Sequence, residues 1–307
     1  MAHPWDVFPK AFLTKLQEFP SQRAEAILQG LTVHKPTTFR VNTLKSTKEA
    51  VLAELIGDGW AVEPVPWYKE AFIVRKHGAN RIASLGVFTS GLLYLQSLAS
   101  MLPALILNPK EGESILDVAA APGSKTTQLS SLLHNTGRIV ANDISPIRLE
   151  KLKANLHIQG VTNVTITQMP AQILSQKFAN QFDTVLVDVP CTMEGKFDAT
   201  NPKSYKNWSE EYAYIFPKRQ EDILTSAIRC AKPGGTIVYS TCTISPDENE
   251  GVITRILQHG EVTTVPIQIP GFNFNPPLSI NPHVGNCVRV DPTSDLEGFF
   301  IAKLRKQ

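Results

Sequence analysis

A chain of 307 residues, 42% hydrophobic and 19% charged, has the composition of a globular protein long enough for one large domain and a smaller companion. Its formal charge of +2 permits a polyanionic partner without arguing for one, because many metabolic enzymes carry the same balance. Four scattered cysteines (Cys191, Cys230, Cys242 and Cys287), with no C-x-x-C pair and no histidine at finger spacing, argue against structural zinc or any other metal and fit a reducing cytoplasm.

Residues 1–6 lack the charged-then-apolar build of a signal peptide, so a soluble cytoplasmic protein is expected. Ala11 to Leu31 has helical spacing, Thr38 to Asn42 reads as a strand, and Lys48 to Ile56 reads as a helix. Two short strands follow, at Ala61–Val65 and Ala71–Val74. Residues 1–85 are therefore expected to form a small α+β unit, which would bind RNA. They lack the aromatic-rich strands of an RNA-recognition motif. Leu92 to Leu107 is apolar but broken by Gln96, two serines and Pro103, so it predicts a buried helix pair and no membrane span.

From residue 86 to 307 a second domain is expected. Strands at Ser114–Val118, Arg138–Asp143, Val164–Thr167, Phe182–Asp188 and Gly235–Ser240 alternate with helices, one of them opened by Ser145-Pro146. Such alternation predicts an α/β fold of Rossmann-like type, a parallel sheet covered on both faces. Ligands then sit beyond the carboxyl ends of the strands, so the turns after each strand carry the argument.

The turn after the first of these strands runs from Asp117 through Ala119, Ala120, Ala121, Pro122, Gly123 and Ser124 to Lys125 and Thr126. A P-loop would need glycine where Ala119 and Ser124 stand, and a dinucleotide fingerprint needs three glycines where Gly123 is alone. Both fail at the residue that lets backbone approach a phosphate. A small-residue turn with one glycine suits a cofactor with an amino-acid tail and no phosphate: S-adenosyl-L-methionine. Asp143, at the end of the next strand, stands where a ribose diol would be held.

The fourth strand delivers Asp188-Val-Pro-Cys191 and the fifth Ser240-Thr-Cys242-Thr243. Neighbouring strands would bring both cysteines to the mouth of the cofactor site. Cytosine C5 explains the need for a thiol, since thiolate attack on C6 makes C5 an enamine-like carbon able to accept a methyl. Asp188 could stabilise that adduct. Amine methylation is the competing chemistry, but Cys191 occupies the place of the aromatic it would require. A non-catalytic RNA-binding or assembly role gives no reason for Asp188 and Cys242.

With these residues assembled, the chain resembles the NOL1/NOP2/Sun family of RNA cytosine-5 methyltransferases. The resemblance runs through Phe39 to Lys45, Gly91 to Ser97, Ala119 to Thr126, Asp188 to Gly195, Ser240 to Thr243 and Glu297 to Lys303. Its look is closest to the bacterial 16S ribosomal RNA branch. It implies that Cys242 attacks C6, that Cys191 resolves the covalent adduct, and that Asp188 contacts the cofactor's methionine end and the base. Ala119 to Lys125 would cradle the cofactor and Asp143 would bind its ribose. Ribosomal RNA is the substrate first expected, with transfer RNA the alternative, and the enzyme is expected to be a monomer. The chain departs from the family after the third strand, where Met169-Pro170-Ala171 replaces the usual acidic residue near the adenine. The expected RNA-facing positives are Arg40, Lys45 and Lys48, then Lys196, Lys203, Lys206, Lys218 and Arg219 around the loop after Cys191. Trp208 in that loop is read as an anchor.

Overall fold

The computed structural model describes residues 3–75, 79–278 and 282–307. The helical spacing from Ala11 to Leu31 predicts one helix, but the structure breaks it. Helix Lys10–Lys15 and a 3-10 turn Leu16–Glu18 end at Phe19, and a new helix covers Ser21–Leu31. The cause is Pro20: a residue before proline is driven out of the helical region, and Phe19 is extended at φ −88° and ψ 151°.

The N-terminal sheet contains β1 (Thr37–Val41), β2 (Val62–Val65), β3 (Tyr68–Val74) and β4 (Leu93–Leu95), in the order β2-β3-β1-β4 with antiparallel pairing throughout. Helix Lys48–Gly57, capped by the Thr47 hydroxyl on the Ala50 N–H at 3.3 Å, closes one face by packing its Val51 and Leu55 with Phe39 and Phe72 of the sheet. The edge strand β4 lies past residue 85, within the stretch predicted as a helix pair. There the Leu92 carbonyl accepts from the Asn42 N–H at 2.8 Å and Gln96 N–H donates to Thr38 O at 3.1 Å, so pairing with β1 outweighs helical propensity. A single helix, Leu98–Leu107, follows with every residue but Leu105 buried.

The large sheet uses β5 (Ser114–Asp117), β6 (Arg138–Asn142), β7 (Val164–Thr167), β8 (Phe182–Asp188), β9 (Ala231–Thr241), β10 (Val262–Val265), β11 (Val288–Val290) and β12 (Phe299–Lys306). Its order is β10-β12-β9-β8-β5-β6-β7, with β11 also on β12. The five predicted strands are mutually parallel, and β12 inserts antiparallel beside β9. From β5 the chain steps outward through β6 to β7, then returns to place β8 on the other side, so a switch point opens between β5 and β8. Alternation on β8 supplies both cores: Val185 and Val187 pack with Ile223 and Leu224 on one face, while Leu186 packs with Leu102, Leu129 and Ile301 on the other.

Candidate active site

The turn after β5 is shaped by its one glycine. Gly123 has φ 109°, a backbone conformation that disfavours a side chain, and a Cβ there would also push aside the Leu152 Cδ1 methyl, 2.8 Å away. Helix Ser124–Leu132 starts there and turns Lys125 inward. The Lys125 ammonium donates to Asp188 Oδ2 at 2.7 Å and to Ser100 Oγ at 2.9 Å, while Asp188 Oδ1 accepts from Ser240 Oγ at 2.7 Å. Burial pushes the Asp117 carboxyl up to about 7, against a hydrogen bond from Thr126 Oγ1 at 2.7 Å.

Asp143 is buried behind the turn and does not line the cavity. It accepts from the N–H groups of Ala121 at 3.3 Å and Ser145 at 3.0 Å and pairs with Arg148 at 3.1 Å. The Arg148 guanidinium, also bonded to Ala121 O, stands between it and the open space. After β7, Asn142 ties down Met169 with bonds to its N–H and carbonyl, both at 3.0 Å. The 3-10 turn Ala171–Ile173 that follows contains no carboxylate.

Asp188 and Ser240 are register partners on β8 and β9, so the two segments leave the sheet side by side. The sulfurs of Cys191 and Cys242 come within 3.3 Å, and both thiols are free. A hydrogen bond from the Cys191 thiol holds Cys242 below the ordinary thiol range, with Lys196 assisting against the cost of burial. The same contact pushes Cys191 well above it. Cys242 is half-buried and Cys191 is buried. Both line a cavity of about 420 Å³ with Ala119–Pro122, Lys125, Asp188 and Lys196. That volume suits a small-molecule site. Its donor set suits an amino-acid cofactor: small residues at the wall, a carboxylate and an ammonium within reach, and no glycine-rich phosphate cradle.

Beneath the cysteines lies a buried polar network that sequence reasoning missed. Glu248 accepts from the Thr192 N–H at 3.1 Å, from Gln220 Nε2 at 2.8 Å and from the Thr192 hydroxyl. Glu194 accepts from Thr243 Oγ1 at 2.9 Å and Trp208 Nε1 at 3.0 Å. Burial pushes Glu248 up to about 7 and also raises Glu194. The available signal was Asp247-Glu-Asn-Glu250, an acidic run immediately after the Cys242 segment. Gly195 knits three segments together: its N–H donates to Cys242 O at 3.0 Å and its carbonyl accepts from Gly298 at 2.8 Å.

Arg40, expected to face RNA, is corrected by the structure. It is fully buried, donating to Gln96 Oε1 at 2.9 Å, Ser124 O at 3.1 Å and Thr127 Oγ1 at 2.6 Å, with its guanidinium 5.1 Å from the Tyr94 ring. It fastens the N-terminal sheet to the helix that begins at Ser124. Lys45 is likewise engaged with the carbonyls of Ser90 and Ile158, and Lys48 lies near Glu49. Lys203, Lys206 and Arg219 are exposed, while Lys218 pairs with Asp222 at 3.1 Å. Trp208 is the expected anchor, edge-on to Phe12 and bonded to Glu194. A second cleft of about 400 Å³ opens between residues 34–38 and residues 195–204, and shares Lys196 with the first.

The parallel sheet and its switch point define the class: an α/β chain built on a Rossmann-like methyltransferase sheet. The chain belongs to the 16S rRNA methyltransferase RsmB/F family, whose description matches residues 104–305, in agreement with the resemblance carried by its motifs. Residues 8–98 match the N-terminal domain of 16S rRNA methyltransferase RsmF. The chain is 35% identical over 320 residues to ribosomal RNA small subunit methyltransferase F of Escherichia coli O6:H1, covering 100% of itself and 65% of that relative. It is 36% identical to the Citrobacter koseri protein of the same name, covering 97% of itself and 63% of that relative. It thus spans just under two thirds of the length of these proteins. Among solved structures, a methyltransferase homolog from Pyrococcus horikoshii superposes with a TM-score of 0.85 at 32% identity over 99% of each chain. NSun6 from the same organism, in a structure with SFG, gives 0.86 at 26% identity over 98% of this chain and 99% of that one. Among the described residues no helix is long and apolar enough to cross a membrane.

Proposed function

We propose that this chain methylates C5 of a cytosine in RNA of the small ribosomal subunit, in the cytoplasm, using S-adenosyl-L-methionine and a covalent bond between Cys242 and C6. The observation that carries the reading is the meeting of two sulfurs, 3.3 Å apart, over a cavity walled by the small-residue turn. When bound, S-adenosylmethionine supplies an electrophilic methyl. Ala119 to Lys125 hold it, Asp188 serves its methionine end and the base, and Asp143 acts through Arg148 and Ala121 at the ribose side. The relative solved with SFG, an S-adenosylmethionine analogue, supports this cofactor.

The Cys242 thiolate bonds to C6, and the ring electrons shift toward C5, the carbon that takes the methyl. Asp188 stabilises the adduct by hydrogen bonding at the base's polar edge. Loss of the C5 proton to a base re-forms the C5–C6 double bond and expels Cys242 as a thiolate. Cys191 serves that release. The target atoms are unreachable in a stacked helix, so the cytosine enters from a loop, a bulge or a flipped state. Residues 1–85, with Lys203, Lys206 and Arg219 at the entrance, bind the RNA, and the cleft that shares Lys196 is the path for its flanking nucleotides.

A denaturing gel of single-cysteine variants with substrate RNA and cofactor tests this. Cys242→Ala should lose turnover and form no covalent band, whereas Cys191→Ala should methylate and remain attached as a slow-migrating band. A band from Cys242→Ala alone would reverse the roles, and intact turnover in both variants would remove covalent catalysis.

A further inference from the structure

A sulfur nucleophile works as its thiolate, whereas an ordinary thiol is mostly protonated at neutral pH. The usual remedy is an imidazole, but among the described residues no histidine lines the cavity that holds Cys242. Its lining cations are Lys125, Arg148 and Lys196. Lys125 is bonded to Asp188 at 2.7 Å, and Arg148 is paired with Asp143 at the cofactor turn. Lys196 differs from both. Its carboxylate neighbour, Glu297, is 3.7 Å away, beyond hydrogen-bond range, and that carboxylate already accepts from Ser97 Oγ at 2.9 Å.

The backbone delivers Lys196 to this place. Its N–H donates to Met193 O at 2.9 Å, and the preceding residue, Gly195, is bonded to the carbonyl of Cys242 itself. No Cβ can intervene there, because one on Gly195 would lie 2.2 Å from Gly298 O. We propose that Lys196 is the positioning residue whose ammonium holds Cys242 as a thiolate before RNA arrives. The assignment deepens the function proposed above and rests on Cys242 being the attacking sulfur. It moves Lys196 from a phosphate contact to the chemistry.

The other charges around the sulfur make such a cation necessary. Asp188 and Glu297 both oppose a thiolate at Cys242, and burial opposes it further. On the far side, the bond to Cys242 itself, then burial, then Glu248 keep the Cys191 thiol protonated, so that it can donate to Cys242. Among these groups Lys196 supplies positive charge, and its own pKa is pushed up chiefly by Cys242, the reciprocal of the same attraction.

The test needs neither RNA nor cofactor: alkylation of Cys242 by iodoacetamide is followed by mass spectrometry across pH. In the unaltered protein the midpoint should lie below that of an ordinary thiol. Lys196→Met should raise it by about 1 to 3 pH units, the usual effect of removing an adjacent opposite charge. Lys196→Arg, which keeps the charge, should restore it. An unchanged midpoint in Lys196→Met overturns the proposal, as does an equal rise in both variants, which would assign the effect to loop shape. A Lys196-dependent midpoint in a protein that forms no adduct with RNA would leave this inference standing while removing the proposed function.

Discussion

Replacing Gly195 by alanine puts a methyl where the backbone of Gly298 already stands. The added Cβ would lie 2.2 Å from the Gly298 oxygen, 2.6 Å from its carbonyl carbon and 2.8 Å from its Cα. Ordinary carbon contacts begin near about 3.5 Å, so the two segments must part by roughly 1 Å. All three atoms are main chain, and no rotamer change relieves them. Parting breaks the Gly298 N–H bond to Gly195 O and pulls Gly195 from the Cys242 carbonyl. Two backbone bonds at about 1 kcal/mol each, with about 1–3 kcal/mol for overpacking, predict a loss of about 3–5 kcal/mol. That is a large share of a typical folding stability of about 5–15 kcal/mol. Misplacing the nucleophile by about 1 Å should also slow methyl transfer by about 100-fold. Cofactor affinity should hold, because the turn from Ala119 to Lys125 is fixed by bonds to Asn142, Asp143 and Asp188, none of which involves Gly195. Urea unfolding, single-turnover methylation and calorimetry with the cofactor measure the three quantities. A variant with an unaltered unfolding midpoint and an unaltered rate would refute the contact as the determinant of the site.

Glu248 gives a pH signature. Its folded-state pKa is raised to about 7 from 4.5, so its contribution to stability is present below about 4.5 and is lost as pH rises through 7. Glu248→Gln should flatten that decline by on the order of 3 kcal/mol, measured by urea unfolding from pH 4.5 to 8, with a residual fall owed to Asp117. A profile matching the unaltered protein would show that the carboxyl is not strained by burial. At the entrance, the double change Lys203→Ala with Lys206→Ala should weaken RNA binding uniformly and reduce the slope of log affinity against log salt by about 1.4, at about 0.7 per phosphate contact on a single strand. An unaltered slope would take that loop off the RNA backbone.

What the sequence disclosed follows from local physics. The central parallel strands were visible because a doubly covered sheet demands short apolar runs, and the edge strand Val164–Thr167 through its alternating β-branched residues; it and Phe182–Asp188 have the predicted bounds. The meeting of Cys191 and Cys242 followed from adjacency of two strands, with each cysteine two or three residues past the register pair Asp188 and Ser240. What stayed hidden depends on partners distant in the chain. Leu93–Leu95 is a strand only because β1 offers an edge, and β12 reaches the sheet interior only because β9 leaves one open. Arg40 looked like a surface charge, since nothing near it in sequence reveals the buried acceptors at Gln96, Ser124 and Thr127. The role of Glu248 was hidden for the same reason: the acidic run that contains it is visible, but its donors, Thr192 and Gln220, lie 56 and 28 residues away in the chain.

The N-terminal helices bear on how the site works as a unit. Phe12, Leu16, Ile27 and Leu31 do not cover the N-terminal sheet; they pack against Phe197 and Ile244. Phe197 follows Lys196, and Ile244 lies two residues beyond Cys242. The segment carrying Lys196 and the segment carrying Cys242 are therefore held by one apolar cluster supplied from outside the sheet. Its aromatic contacts, Phe12 to Phe197 at 4.8 Å and Phe8 to Phe197 at 5.7 Å, are of the kind that add about 0.5–1.5 kcal/mol each beyond burial. The break at Pro20 turns the chain so that Phe12 and Ile27, on different helices, reach this cluster together. An unbroken helix would carry them apart along one axis, at about 1.5 Å per residue. Pro20 is thus the residue that lets the N-terminal segment brace the segments of Lys196 and Cys242.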